Sequence, residues 1–241
     1  SCPHVLPIYE VLGNIIVMEY MDKGSLGDVI PPGGFKDHEY AVFLMKSITK
    51  GVKAIHDVGL VHLDITPSNI LLDSNNRVKI ADFGFARKAM MPQDKNGDSI
   101  LTTGFTAPDS KMDVRSDIYS MGMTFISILT GDLSHEGQQI NGTWNKLLLE
   151  LPDDIPVNLI DKMISKDPGQ RPSIEEILTD LEQIRSVPLI NRLPEIPQVK
   201  KKKEIGDILW QSFEEIKQEE AKHIQLEIDA LPPHSRDLVN E

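Results

Sequence analysis

The chain has 241 residues, of which 40% are hydrophobic and 26% charged, and its formal net charge is −12. This composition is typical of a soluble globular protein with a sizeable core, and the negative balance opposes binding to nucleic acid. No apolar run approaches the roughly 20 residues that a membrane-spanning helix needs. The single cysteine, Cys2, excludes an internal disulfide framework. No secretory leader opens the chain, so the sequence predicts a cytoplasmic protein, and the absence of an initiating Met predicts a fragment or processed product.

The first part of the chain predicts short strands around one long helix. Two apolar, β-branched stretches at 5–9 and 15–18 flank a Gly13-Asn14 turn, which is typical of a β-hairpin. Residues 38–58 then carry apolar side chains three to four positions apart, which predicts an amphipathic helix. Two further strand-like runs, joined by a polar turn, follow at 69–72 and 78–80.

The second part predicts a loop and then helices. Residues 88–106 are scattered with Pro, Gly, Ser and Thr, which favours a loop. Almost uninterrupted apolar character at 117–129 predicts a buried helix. Further helices are expected at 144–150, 156–165 and 173–185. In the last of them Glu176 lies three residues after Ser173, the spacing of a capping box.

The composition changes near residue 187. Several prolines predict a linker, a basic run follows at Lys200–Lys203, and residues 204–230 form a charged amphipathic stretch. We therefore divide the chain into a domain at 1–186 and, at 187–241, a linker with a charged amphipathic C-terminal helix. Two interpretations of that helix stay open: it packs against or trails from the domain, or it binds a regulatory partner.

Three short motifs carry the chemistry, and their order matters more than any one of them. They are His62-Leu63-Asp64-Ile65-Thr66-Pro67-Ser68-Asn69, Asp82-Phe83-Gly84 and Ala107-Pro108-Asp109. Phosphoryl transfer to a hydroxyl needs a base-like acceptor beside that hydroxyl and oxygen ligands for Mg²⁺. Asp64 can supply the acceptor, whereas Asn69 and Asp82 offer the hard oxygen atoms that Mg²⁺ prefers.

With this order and spacing, residues 5–185 resemble the eukaryotic-type protein kinase family. The resemblance implies an α+β, protein-kinase-like fold, mainly the helical C-terminal lobe with only the last strands of the N-terminal lobe. It implies Asp64 as the catalytic residue that orients the substrate hydroxyl, with Asn69 and Asp82 as Mg²⁺ ligands. Thr102 matches the threonine that positions the substrate in serine/threonine kinases.

The resemblance also implies an ATP site along the hairpin and a hinge near residues 19–22. Met18 would be the gatekeeper behind the adenine. The backbone C=O of Glu19 and the N–H of Met21 would bond the base. Ser25 would lie near the ribose, and Leu71 would form the floor beneath the base.

Four more residues match structural positions of the family. Asp109 and Arg171 match a buried carboxylate–guanidinium pair, and Asp117 matches the helix residue that braces the backbone of the catalytic loop. His62 is expected to be a packed core histidine.

The chain departs from the family pattern in three places. Thr66 stands where serine/threonine kinases usually carry a lysine for the γ-phosphate, a loss of roughly 2 to 4 kcal/mol in the transition state by analogy with a missing oxyanion donor. Leu63 replaces an arginine that pairs with an activation-loop phosphate, and a leucine cannot make that bond. We therefore expect that activation does not depend on a phosphate at Ser99 or Thr103 bonded to residue 63. No glycine-rich loop precedes residue 5, and we expect the chain alone to lack turnover without an upstream segment.

The sequence therefore predicts a protein serine/threonine kinase that uses ATP and Mg²⁺ on a protein substrate. The main alternative is a pseudokinase that serves as a binding or scaffolding module. Thr66 and the missing small-lobe elements favour that alternative, whereas Asp64, Asn69 and Asp82 oppose it. Phosphotransfer to a small molecule is a third interpretation, and the 102–109 segment, which resembles a platform for protein substrates, opposes it.

Overall fold

A computed structural model describes residues 2–12, 15–89, 104–109, 112–133 and 155–184. These residues have an α+β architecture in which helices pack beneath small antiparallel sheets. In this part of the chain, no helix combines the length and the apolar character needed to cross a bilayer. The expected helices at 144–150 and 204–230 and most of the expected loop at 88–106 lie outside the described residues.

The predicted hairpin is present. Strands β1 (Ile8–Leu12) and β2 (Ile15–Met18) pair in antiparallel fashion, and the expected turn between them falls outside the described residues. The prediction that the first strand begins at residue 5 is wrong. Val5 instead forms an isolated parallel bridge to Ile80, and Pro7, which has no N–H to donate to a ladder, separates that bridge from β1.

The described residues form two further small sheets. In the first, β3 (Gly24–Ser25) pairs with β5 (Ile70–Leu72), which pairs with β6 (Val78–Ile80). In the second, β4 (Leu60–Val61) pairs with β7 (Arg87–Lys88). The strands expected at 69–72 and 78–80 are confirmed, except that residue 69 belongs to a 3-10 turn, Pro67–Asn69.

The described helices follow the predicted pattern closely. They are α1 (Leu26–Val29), α2 (His38–Asp57), α3 (Val114–Thr130), α4 (Val157–Met163) and α5 (Ile174–Gln183). Helix α3 begins three residues before the predicted start, because the Asp113 carboxylate accepts the Arg115 N–H as an N-cap. The Ser173–Glu176 capping box is present at α5. Helix α1 was not predicted, since four residues are too short to carry a helical period.

The core lies between α2 and α3. The largest fully buried side chains of these helices include Tyr40, Leu44, Met45, Ile48, Met121, Met123 and Phe125. Helix α3 buries residues on every side, as its apolar sequence predicts. It ends at Gly131, which has a left-handed φ of 74°, and a Cβ atom there would lie 2.4 Å from the backbone nitrogen of Gly33. Only glycine fits this close approach.

Candidate active site

The predicted catalytic loop, residues 62–69, follows β4 and ends in the 3-10 turn. Asp64 is only 8% exposed. The Asn69 side-chain amide donates to Asp64 Oδ2 at 2.7 Å and to the Asp64 backbone oxygen at 2.9 Å. These two bonds use the Asn69 nitrogen, so the amide oxygen is the atom left for a cation. The loop thus holds a carboxylate and an amide oxygen next to each other.

A fully buried carboxylate on α3 braces this loop. Asp117 Oδ2 accepts the backbone N–H of His62 at 2.8 Å, and Asp117 Oδ1 accepts that of Leu63 at 2.7 Å. The Nε2 atom of His56 lies 2.9 Å from Asp117 Oδ2. Leu63 has a left-handed φ of 68°, which costs energy for a branched side chain. The two bonds to Asp117 hold the backbone in this strained conformation immediately before Asp64.

His62 joins the catalytic loop to the segment that follows β6. Its Nδ1 accepts the Asp64 backbone N–H at 3.3 Å, so the proton lies on Nε2, which donates to the Ala81 carbonyl at 3.1 Å. The Phe83 ring packs edge-on against the imidazole, with ring centroids 4.9 Å apart. Burial lowers the pKa of His62. His62 is therefore a neutral, packed histidine, as the sequence predicts.

Asp82 lies at the end of this connection in a turn of its own. Its φ is 59°, and its Oδ1 accepts the Gly84 backbone N–H at 3.0 Å. The Asn69 carbonyl accepts the Ala81 N–H at 2.8 Å. This bond ties the residue before Asp82 to the catalytic loop.

An open cleft of about 590 Å³ brings three of the predicted site residues together. Met18, Asn69 and Asp82 line it, with the hairpin on one side and the Asp82-Phe83-Gly84 turn on the other. The remaining lining residues are Leu6, Ile8, Ile16, Ser68, Ala81, Phe83 and Gly84. Asp64 is not among the lining residues, but it is hydrogen-bonded to Asn69, which is one of them.

Two of the other predicted ATP-binding residues pack beside the cleft, and the remaining two make polar contacts of their own. Leu71 and the buried Met21 pack in a small apolar cluster with two residues that line it, Leu6 and Ala81. The Ser25 hydroxyl donates to Asp28 Oδ2 at 2.6 Å and so belongs to the cap of α1. The Glu19 carboxylate contacts cationic side chains of the β5–β6 region.

Residues around the motifs have mixed outcomes. Thr102, Ser99 and Thr103 lie outside the described residues. Thr66 is buried, and its carbonyl accepts the Asn69 N–H at 3.0 Å at the start of the 3-10 turn. Leu63 is buried as well.

The expected carboxylate–guanidinium pair is also present. Arg171 Nη2 donates to Asp109 Oδ2, and the Arg171 side chain is wholly buried. Arg171 also donates to the carbonyls of Ser165 at 2.9 Å and Arg115 at 3.0 Å. The Arg171 guanidinium carbon lies 5.1 Å from the centre of the Tyr119 ring. The pair fastens residue 109 to the start of α3 and to the segment before α5.

Sequence reasoning missed three supporting residues. The Ser120 hydroxyl donates to the Phe105 carbonyl at 2.8 Å, and that of Thr124 donates to the Ile65 carbonyl at 3.0 Å. Both lie on the same helix as Asp117 and are buried, and His56 is the third partner of Asp117. The sequence signal for Ser120 and Thr124 was their polar character in the otherwise apolar helix α3. That signal does not identify their hydrogen-bond partners.

Comparison with known proteins shows the family of the chain. The protein kinase domain model matches residues 3–181. The chain belongs to the protein kinase family. It is 33% identical over 184 residues to the dual specificity protein kinase pyk3 of Dictyostelium discoideum, which covers 71% of this chain and 14% of that protein.

Two further kinases give similar figures. The probable serine/threonine-protein kinase KCC4 of Saccharomyces cerevisiae is 32% identical over 200 residues, covering 74% of this chain and 19% of that protein. The probable serine/threonine-protein kinase CPE1738 of Clostridium perfringens is 30% identical over 191 residues, covering 73% and 28%. The chain thus spans less than a third of the length of each of these three kinases.

We expect the free energy of unfolding of this kinase domain to decrease as the pH is lowered from 7.5 to 5.5. Because burial lowers the pKa values of His62 and His4, the folded state takes up protons less readily than the unfolded state. Their stabilising contribution is complete above the unfolded pKa of about 6.5 and is lost as the pH falls through the folded values. Each histidine can add at most about 1.4 kcal/mol per pH unit to the slope of the unfolding free energy.

Urea denaturation at both pH values measures this slope. His62→Asn should flatten it, and His4→Asn, the matched control, should leave the His62 share in place. An unchanged slope in His62→Asn would show that the imidazole does not resist protonation in the folded state.

Proposed function

We propose that this domain transfers the γ-phosphate of ATP to a serine or threonine hydroxyl of a protein substrate. The observation that carries the proposal is the contact between Asp64 and Asn69, at a cleft that Asn69 and Asp82 line together. A proton acceptor bonded to one of two oxygen ligands that share a cleft is an arrangement suited to phosphoryl transfer.

The residues at the cleft fit Mg²⁺ bound together with a nucleotide. Among the described residues no group of three or more His, Cys, Asp or Glu side chains is arranged to hold a metal alone. Mg²⁺ usually binds through one or two protein oxygens, with phosphate oxygens and water completing its shell. Asn69 and Asp82 would hold it, and bound Mg²⁺ neutralises charge on the phosphates. The Gly84 N–H bond orients the Asp82 carboxylate for this role.

Asp64 would accept or orient the proton of the substrate hydroxyl. Its position depends on Asn69 from one side and on the strained Leu63 backbone, held by Asp117, from the other. Such preorganisation keeps a reacting group within the small tolerance that efficient catalysis needs. Thr102 would help to position the protein substrate.

ATP would bind with its adenine against the hinge, residues 19–22 of a domain at 1–186. The C=O of Glu19 and the N–H of Met21 would bond the base. Met18 would stand behind it, Leu71 beneath it and Ser25 near the ribose. Leu71 packs against the apolar cluster that contains Met21, beside the cleft, and this supports the placement.

Regulation is proposed from the same sequence features. Because the Leu63 side chain is buried and apolar, it cannot bond a phosphate, and activation would not rely on activation-loop phosphorylation through this residue. The amphipathic stretch within 187–241 would bind a regulatory partner, or would pack on the domain or trail from it. A cytoplasmic location is part of the proposal.

A specific observation favours the pseudokinase alternative. Thr66, where a cationic side chain would meet the γ-phosphate, is buried and cannot supply charge. The alternative predicts nucleotide binding without transfer.

Labelled γ-phosphate transfer to a mixed-sequence protein substrate tests the proposal. The enzyme should be the complete protein that contains this domain, and phosphoamino-acid analysis should follow. We expect Mg²⁺-dependent labelling on serine and threonine. Labelled tyrosine would contradict the specificity, and nucleotide binding without any label would favour the pseudokinase.

A further inference from the structure

An ion-pair cluster ties the hinge to the strand that leads into Asp82. Glu19 Oε2 lies 2.8 Å from Lys79 Nζ, and Glu19 Oε1 lies 2.9 Å from Arg77 Nη1. Each carboxylate oxygen therefore has its own cation. We call Glu19, Lys79 and Arg77 the hinge ion-pair cluster.

The two cations differ in burial. The Lys79 side chain is 8% exposed, whereas that of Arg77 is 52% exposed. Arg77 has a second anion, because its Nε lies 2.6 Å from Asp73 Oδ2. Exposed pairs contribute little, whereas a buried ammonium needs its partner. Lys79 is thus the member whose charge matters most, and the pairing with Lys79 lowers the pKa of Glu19.

The position of Lys79 links the two ends of the cleft. Lys79 lies directly opposite Leu71 in the antiparallel β5–β6 pair, so both side chains share one face of the sheet. Three residues later on the same segment comes Asp82. Glu19 directly follows Met18, which lines the cleft. The Glu19 backbone N–H donates to the Pro7 carbonyl at 3.2 Å.

We infer that the Lys79–Glu19 pair is a positioning device that holds the hinge backbone in the conformation that binds adenine. This inference rests on the proposed function, since it assumes that the hinge carries the base. The ion pair anchors the Glu19 side chain to β6, which restricts the backbone whose carbonyl would bond the base. A preorganised hinge binds with less loss of conformational entropy. The effect falls on nucleotide affinity and leaves the chemical step unchanged.

Isothermal titration of the complete protein with adenosine and with Mg·ADP tests the inference. Lys79→Met and the isosteric Glu19→Gln should each weaken both ligands by about tenfold, the scale of one lost charge-assisted hydrogen bond. The double variant should be no weaker than either single variant, because the two side chains act as one pair. Lys79→Arg should restore most of the affinity.

Two readouts separate positioning from a merely structural role. The rate of phosphate transfer at saturating ATP should stay at the wild-type value in Lys79→Met, so that only KM for ATP rises. Lys53→Met removes a more exposed lysine–carboxylate pair, with Asp57 on α2, and should change neither ligand affinity.

The outcomes distinguish this inference from the proposed function. Wild-type affinity in both Lys79→Met and Glu19→Gln would overturn the inference while leaving the kinase proposal standing. A wild-type protein that binds adenosine but transfers no phosphate would overturn the kinase proposal, and the affinity ratios would still decide the inference. A wild-type protein that binds neither ligand would overturn both.

Discussion

Asp64→Asn is expected to lower the phosphotransfer rate by about 10²- to 10⁴-fold, the range attributed to a positioned general base. An asparagine keeps the size of the side chain but cannot take up a proton at neutral pH. It can still accept the Asn69 amide hydrogen that Asp64 Oδ2 accepts at 2.7 Å, so the loop should keep its geometry. In Asp64→Asn the steady-state rate of phosphate transfer should therefore be lost, whereas the affinity for Mg·ADP should stay at the wild-type value.

Asp57→Asn is the matched control for this loss. Asp57 is an exposed residue of α2 that pairs with Lys53, so the same chemical change there should leave transfer unaltered. Equal rates for Asp64→Asn and wild type would remove Asp64 from the mechanism.

Asp117→Asn is expected to lower the free energy of unfolding by about 3 kcal/mol, since it disrupts a buried, fully bonded carboxylate. The carboxylate accepts two backbone N–H groups on separate oxygens. An asparagine would turn an NH₂ group toward one of these donors. The freed Leu63 backbone would then leave its left-handed conformation. We expect transfer to fall as well, by about 10²-fold, through misplacement of Asp64.

Asp113→Asn supplies the comparison on the same helix. Asp113 caps α3 through the Arg115 N–H, and asparagine is as good an N-cap as aspartate. Its unfolding free energy and its activity should match those of wild type. Unfolding by urea, with the transfer rate measured beside it, decides the point. Wild-type stability in Asp117→Asn would show that the loop does not depend on this carboxylate.

Periodic elements were predictable because their physical signal is local. Helix α2 buries one long stripe of side chains, and α3 buries side chains on every side. Both apolar patterns can be seen in the sequence without knowledge of a packing partner. The two-residue strands β3, β4 and β7 carry no period, so they appear only when a partner strand pairs with them. The start of β1 was misplaced because Pro7 interrupts the ladder.

The candidate site divides in the same way. Asp64, Asn69 and Asp82 could be found from motif order, but the left-handed φ values of Leu63 and Asp82 could not. Tertiary hydrogen bonds impose the strain at Leu63, and Gly84 bonds Asp82 only once the turn has formed. The role of Lys79 could not be predicted either. A lysine in a short strand is expected at the surface, and its ion pair with Glu19 is known only from the structure.

A single-turnover measurement of γ-phosphate transfer from Mg·ATP to protein shows whether this domain is a kinase or a pseudokinase. Wild type, Asp64→Asn and Asp82→Asn should be compared in the complete protein, after nucleotide affinity has fixed a saturating concentration. We predict transfer by wild type alone, with nucleotide still bound by Asp64→Asn and with the Mg²⁺ dependence of nucleotide binding lost in Asp82→Asn. Saturated wild-type protein that transfers no phosphate would contradict this prediction and identify the domain as a pseudokinase.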